Sequence, residues 1–227
     1  MKKIVVLTGA GMSAESGINT FRDANGLWEG HDIMEVASPL GWQKDKEKVL
    51  DFYNKRREQL LTVFPNEAHK ALVALEKKYQ VNIITQNVDD LHERAGSSQV
   101  LHLHGELLKV RSTKNPDLIY DWKKALNLGD VCEENSQLRP HIVWFGEAVP
   151  AIYEAIPMVE NADIVVVIGT SLAVYPAAGL VHYAKPGAPV FVVDPNRPDV
   201  ALKNVVYIDE KAGDGVKILK LKLEKLK

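Results

Sequence analysis

A doubly wound α/β fold, in which a mostly parallel, Rossmann-like sheet carries a small helical lobe formed by two insertions, is predicted by three observations on this 227-residue chain. Short β-branched apolar runs recur, helix-length segments separate them, and the first run ends in a glycine-rich turn. The runs fall at residues 3–8, 81–85, 100–104, 142–145, 163–168, 190–193 and 205–208. Most are apolar throughout rather than alternating, as strands covered on both faces are. Residues 66–79, 149–161 and 176–185 supply helices between them. In 217–227, Ile218, Leu219, Leu221, Leu223 and Leu226 fit a terminal helix laid on the body with its lysines in water.

Two stretches break the alternation. Residues 25–64 are helical and charge-rich after Trp42, and 106–140 are polar and irregular. Each is too long for a simple connection, so both are expected to pack together as the small lobe. The large lobe then takes 1–24, 65–105 and 141–227 of a single domain.

Composition narrows the function classes. With 46% apolar and 26% charged residues the chain is an ordinary globular domain, which excludes disorder, collagen and coiled coil. A formal charge of -2 without a long basic block gives no nucleic-acid partner. The most apolar run, 162–169, is interrupted by Asp163 and falls far short of the ~20 residues a bilayer crossing needs, so no membrane partner is expected. Cys132 is the single cysteine, which rules out an intramolecular disulfide. The first apolar stretch is too short for a signal peptide, and a reducing, cytoplasmic setting is expected.

The first strand runs into Gly9-Ala10-Gly11-Met12-Ser13-Ala14, a Gly-x-Gly-x-x-Ala turn into a helix. Such glycines let backbone approach a pyrophosphate at a helix N-terminus, although small residues in a tight turn also serve packing. A second strand ends in Gly169-Thr170-Ser171 and a third in Asp194-Pro195-Asn196. All three corners fall at carboxyl ends, where open α/β sheets bind ligands, so one nucleotide spanning them is the economical reading. A dehydrogenase would place an acidic residue at the end of the next strand, about 20 residues on. Here a long insert intervenes, and the next strand closes with Gln86-Asn87-Val88-Asp89-Asp90. That cluster suits the sugar and amide groups of a dinucleotide better than hydride transfer.

Taken together, several ordered motifs resemble the sirtuins, the NAD-dependent protein deacylases, over essentially the whole chain. They are residues 9–18, Phe21-Arg22-Asp23, Thr85-Gln86-Asn87-Val88-Asp89, His104-Gly105, Trp144-Phe145-Gly146-Glu147 and Gly169-Thr170-Ser171. The resemblance implies that NAD loses nicotinamide while its ribose C1′ captures the acyl oxygen of an acylated protein lysine, giving lysine and O-acyl-ADP-ribose. It assigns the general base to His104, whose imidazole titrates near neutral pH. His31, His69, His92, His102, His141 and His182 compete. His102 and His104 share one face of a strand and could also be two metal ligands, but no third ligand is obvious.

By the same resemblance, Asn87 and Asp89 meet ribose and carboxamide, with Val88 where the family has isoleucine. Phe21 and Arg22 belong to a cofactor loop. Gly9, Ala10, Gly11, Ser13, Ala14, Glu15, Gln86, Gly169, Thr170, Ser171, Asp194, Asn196 and Ala212 complete the NAD site. Val143, Trp144, Phe145, Gly146 and Glu147 form the edge that takes the substrate peptide as an added strand.

Two departures stand out. Most sirtuins hold a structural zinc with two Cys-x-x-Cys pairs in the small lobe, whereas here Cys132 and His141 offer at best two of four ligands, so no zinc is expected. Packing by Leu118, Ile119, Trp122, Leu126 and Leu128 is expected to replace it. Tyr53 and Arg56 lie three apart on one helical face, and with Ala37 they resemble the subgroup that removes succinyl and malonyl groups. Two rival readings are an ADP-ribosyltransferase, which would leave label from NAD on protein, and a non-catalytic NAD or ADP-ribose sensor.

Overall fold

A computed structural model describes residues 1–19, 27–28, 30–202 and 204–226. Six strands form the main sheet: β1 (Lys3–Thr8), β4 (Gln80–Thr85), β5 (Val100–His102), β9 (Ile164–Ile168), β10 (Val190–Val193) and β11 (Val205–Ile208). Their order is β11-β10-β9-β1-β4-β5, and every pairing is parallel. The reason is visible in β1, where Ile4 and Val6 pack into one apolar cluster and Val5 and Leu7 into another on the opposite face. Both faces are covered, so the strand is apolar from Ile4 to Leu7.

On the first face lie α5 (Glu67–Leu75) and α8 (Ala212–Leu223), and on the second α7 (Ile152–Glu160) with a 3-10 helix, Ala177–Tyr183. The last replaces the α-helix expected over 176–185. The terminal helix begins earlier than its leucines suggested. Val216, Leu219 and Leu223 are its buried seat, while Ile218, Leu221 and Leu226 face solvent.

A third cluster belongs to the insertions. It joins α2 (Ile33–Val36), α3 (Pro39–Lys44) and α4 (Lys46–Thr62) to an antiparallel sheet of β6 (Gly105–Ser112), β7 (Ile119–Asp121) and β8 (Leu138–Ile142), in the order β7-β6-β8. The expectation of a purely helical lobe, irregular over 106–140, is therefore corrected. Leu107, Val110 and Ser112 are buried in β6, Leu108 packs partly against the same cluster, and Glu106, Lys109 and Arg111 are half-buried. A short pair, β2 (Leu27–Trp28) with β3 (His31–Asp32), precedes α2. The strand placed at 142–145 is likewise displaced, since β8 ends at Ile142. Of the side chains expected to hold this lobe, Leu126 is buried and Leu118 and Trp122 pack against the cluster, but Ile119 and Leu128 are exposed. Polar bonds add to the hold: Asn54 on α4 donates to the Leu126 carbonyl at 3.0 Å and accepts from the Leu126 N–H at 2.9 Å.

Candidate active site

β1 sits between β4 and β9, so the chain continues to one side of it early and to the other side late. That is a topological switch point, where a crevice opens at the carboxyl ends. A cavity of about 830 Å³ occupies it and reaches from Asp194, Asn196 and Ala212 at the large-lobe end to Ala37, Tyr53 and Arg56 at the small-lobe end.

The floor is made of two interlocked turns. Gly9 N–H donates to the Ile168 carbonyl at 3.1 Å and Gly11 N–H to that of Gly169 at 2.9 Å. A Cβ on Gly9 would lie 2.7 Å from Thr170 Cβ, and one on Gly11 2.6 Å from Gly169 Cα, so no larger residue fits. Gly169 itself has φ +64°, in the left-handed region. Packing and ligand approach thus make the same demand. The helix after the first turn, α1 (Ala10–Ser13), is a single turn followed by a 3-10 turn, Ala14–Ser16. A helix this short carries little macrodipole, which corrects the expectation of a full helix N-terminus here. Ala10, Ser13, Ala14, Thr170 and Ser171 complete this part of the wall. Glu15 also lines it, and its carboxylate accepts from the Gly213 N–H of α8 at 2.7 Å.

The loop after β4 is held through its polar groups. Gln86 donates to Thr170 Oγ1 at 3.1 Å. Asn87 Nδ2 donates to the Gly9 carbonyl and to Ser13 Oγ, both at 3.0 Å, which leaves Oδ1 as the remaining group of its amide. Asp89 is buried; it accepts from Ser13 Oγ at 2.8 Å and from the Leu91 N–H at 3.2 Å. Burial raises its carboxyl pKa above the usual range, against those two bonds. Ser13 therefore grips both residues from the glycine turn. Asp194 is turned back on its own loop, accepting from the Asn196 N–H at 2.8 Å.

His104 lines the cavity just beyond β5, with Nδ1 3.0 Å from the Gln86 carbonyl oxygen. A carbonyl only accepts, so Nδ1 carries the proton and Nε2 keeps the lone pair. Burial holds this imidazole below its ordinary 6.5, with the Gln86 bond pulling the other way. The neutral, proton-accepting form is thereby favoured.

At the small-lobe end, Tyr53 and Arg56 project from α4. Both are buried, and Arg56 lies over the Phe52 ring at 5.6 Å. The indole N–H of Trp144 donates to Tyr53 Oη at 3.0 Å, so the phenol's own proton is the one it can still donate. Burial keeps that phenol protonated, its pKa well above the usual value.

Residues 143–145 do not form a strand. Val143 N–H donates to the His104 carbonyl and Phe145 N–H to that of Ala37, both at 2.9 Å, while Trp144 N–H donates to Glu147 Oε2 at 2.8 Å. All three N–H groups are in use, so an added chain could take only carbonyls here. Glu147 lines the cavity but is engaged by Arg139 at 2.6 and 3.1 Å, and it pins this corner. Gly146, with φ +88°, makes the turn and is not on the cavity wall. Phe21 and Arg22 lie outside the described residues. Leu107 and Ile142 on the wall went unseen because they belong to β6 and β8. Tyr175 and Lys211, also on the wall, carried no motif.

Fold and site together define an α/β enzyme class with a crevice at the carboxyl ends of a parallel sheet, closed at one end by a small lobe. The Sir2 family model matches residues 9–176. An NAD-dependent protein deacylase of Helicobacter pylori is 63% identical over 224 residues, covering 98% of each chain. One of Bacteroides thetaiotaomicron is 55% identical over 227 residues, covering 97% of each. Among solved structures, a Sir2 homologue in complex with NAD is 41% identical, with a TM-score of 0.88 over 99% of this chain and 90% of that one. A mutant Sir2 homologue in complex with ADP-ribose is 40% identical, with a TM-score of 0.88 over 100% of this chain and 94% of that one. The chain belongs to the Sir2 family.

The structural zinc common in that family does not fit the residues here. Cys132 is buried in the small lobe, and among the described residues no group of three or more His, Cys, Asp or Glu side chains could hold a metal.

Proposed function

We propose that the chain is an NAD-dependent protein-lysine deacylase whose acyl pocket takes negatively charged chains, succinyl and malonyl, as well as acetyl. One observation carries the acidic preference: Tyr53 and Arg56 are buried together at the small-lobe end of the cavity, opposite the glycine turns. A guanidinium and a protonated phenol in a site shielded from water suit a carboxylate, and Ala37 leaves room.

NAD fits the glycine cradle, where any Cβ would collide, and supplies the sugar carbon that takes the acyl oxygen as nicotinamide leaves. The chain's own residues do the rest. The two turns would bring backbone close to the phosphates, and Ser13 holds Asn87 and Asp89 in place beside the sugars' side of the crevice. Asn87, fixed through Nδ2, presents Oδ1. His104 Nε2 accepts a proton from a sugar hydroxyl, while its Nδ1–H stays on the Gln86 carbonyl and holds the ring in orientation. Trp144 directs the phenol of Tyr53 by occupying its lone pair. Reaction then rests mainly on orientation, since the acyl oxygen is a weak nucleophile.

The small lobe works without zinc, supported by its single cysteine, its apolar cluster and the paired bonds between Asn54 and Leu126. Metal analysis of the purified protein tests that statement, and a stoichiometric zinc content would refute it.

The acyl preference is tested by mass spectrometry with NAD and matched succinyl-, malonyl- and acetyl-lysine peptides. Acidic acyl groups are expected to be removed at least as fast as acetyl. A large excess of acetyl turnover would sink the roles given to Tyr53 and Arg56.

A further inference from the structure

His102 stands two residues before His104 on the same face of the chain, yet it is not on the cavity wall. The two rings are anchored in tandem. Nδ1 of His104 lies 3.0 Å from the Gln86 carbonyl oxygen, and Nδ1 of His102 lies 3.0 Å from that of Asn87. Both Nδ1 atoms must carry protons, because a carbonyl cannot donate. The second nitrogens part company. His104 Nε2 keeps its lone pair, whereas His102 Nε2 lies 2.7 Å from Glu93 Oε1 on α6 (Leu91–Ala95). A lone pair facing a carboxylate at that distance would be repelled, so a proton sits between them.

We propose that His102 is a positioning residue: as an imidazolium clamped by Glu93, it fixes the Asn87 carbonyl and so sets the loop that carries Gln86, Asn87 and Asp89. Asn87 is gripped elsewhere by Thr85 Oγ1, which accepts from its N–H at 3.0 Å, and by Gly9 and Ser13 through its side chain. The His102 bond closes the remaining side of the peptide. Without it the plane between Asn87 and Val88 can turn, and Oδ1 of Asn87 shifts relative to His104.

The surroundings agree with the charge state. The titratable groups around His102 are Glu93 and His92 on α6, Asp89 on the loop and Glu106 on β6, with Lys109 of β6 acting on Glu93. Burial disfavours the imidazolium, but the bond and charge of Glu93, the Asn87 carbonyl and Glu106 outweigh it and hold the ring above its ordinary 6.5. Burial likewise works against the Glu93 carboxylate, and His102 nevertheless keeps it below its ordinary 4.5. His104, with no acid beside it, moves the opposite way. The two histidines thus bracket a working range: activity falls at low pH as His104 gains a proton, and at high pH as His102 loses one.

The experiment is a histidine-ring NMR titration of the full chain without ligand, paired with pH–rate profiles on an acetyl-lysine peptide. In the wild type, both ring nitrogens of His102 are expected to be protonated near pH 7. In Glu93→Gln its titration should move down, and the alkaline limb of the rate profile should move with it. His102→Asn supplies an amide donor to the same carbonyl without a titrating ring. It is expected to keep neutral-pH turnover within about threefold and to lose the alkaline limb, whereas His102→Leu should lose about tenfold or more at every pH. Should His102→Leu fail to fold, Glu93→Gln and His102→Asn decide. A His102 ring that titrates at or below 6.5 in the wild type overturns the proposal, as does an alkaline limb unmoved in both of those variants.

Discussion

The two ends of the cavity are built from different materials. At the large-lobe end the wall is backbone and very small side chains: Gly9, Gly11 and Gly169 lock two turns together, and Ser13 and Thr170 bridge them to the loop after β4. At the small-lobe end the wall is bulky side chains, Tyr53 and Arg56 from one helix and Trp144 from the opposite corner. Backbone geometry tolerates almost no substitution, because the atoms in the way cannot move. A side-chain wall can change its chemistry while keeping its shape. The difference teaches that substitutions at the two ends should have different signatures, uniform at the first and selective at the second.

Breaking the first end should be severe, and His104, the proposed base between the two ends, should matter most. His104→Ala is expected to lower turnover on every acyl peptide by about 10²-fold or more, the usual yield of general-base catalysis, while binding of ADP-ribose by calorimetry stays close to wild type. Gly169→Ala comes next. Its Cβ would lie 2.4 Å from the Met12 nitrogen on a left-handed backbone, so thermal unfolding should show a loss of about 2 kcal/mol or more, with weakened ADP-ribose binding. Equal losses on all acyl groups are the signature expected of this end.

Changes at the second end should instead divide substrates. Arg56→Met is expected to lower kcat/KM for succinyl-lysine by about tenfold or more, since a charge-assisted bond is worth about 1.5–3 kcal/mol, and to leave acetyl-lysine nearly untouched. Trp144→Phe keeps an aromatic ring against Trp42 and Tyr53 while removing the indole N–H together with part of the fused ring. A neutral hydrogen bond supplies about 1 kcal/mol, so a selective loss of about fivefold on succinyl-lysine is the expected result. A uniform loss on acetyl and succinyl peptides in either variant would erase the distinction between the ends.

What the sequence discloses follows the same division. Strands β1, β10 and β11 are legible to the residue, because each is an unbroken run of apolar residues, bounded in β1 by Lys3 and Thr8. The small-lobe sheet is not legible. In β6 the inward Leu107 and Val110 are separated by Leu108 and Lys109, and β8 contains Pro140, which pairs with Val110 in the antiparallel ladder. A bulge between Gly105 and Val110 breaks the simple alternation there. The start of α8 was hidden by Gly213 and Gly215, poor helix formers. Packing overrides propensity at the second, because a Cβ there would lie 2.2 Å from Val193 Cγ1. The glycine and hydroxyl corners could be read from sequence as one site, since each ends a strand. Their mutual locking could not, being a contact between residues about 160 apart in the chain.

The bond between Glu15 and the Gly213 N–H closes a long circuit, from the first turn of the chain to its last helix. A nascent polypeptide emerging from the ribosome therefore lacks one buttress of its nucleotide cradle until α8 has been synthesised. Truncations or affinity tags that disturb α8 should be felt at the phosphate end, some two hundred residues upstream in sequence, sooner than at the acyl end.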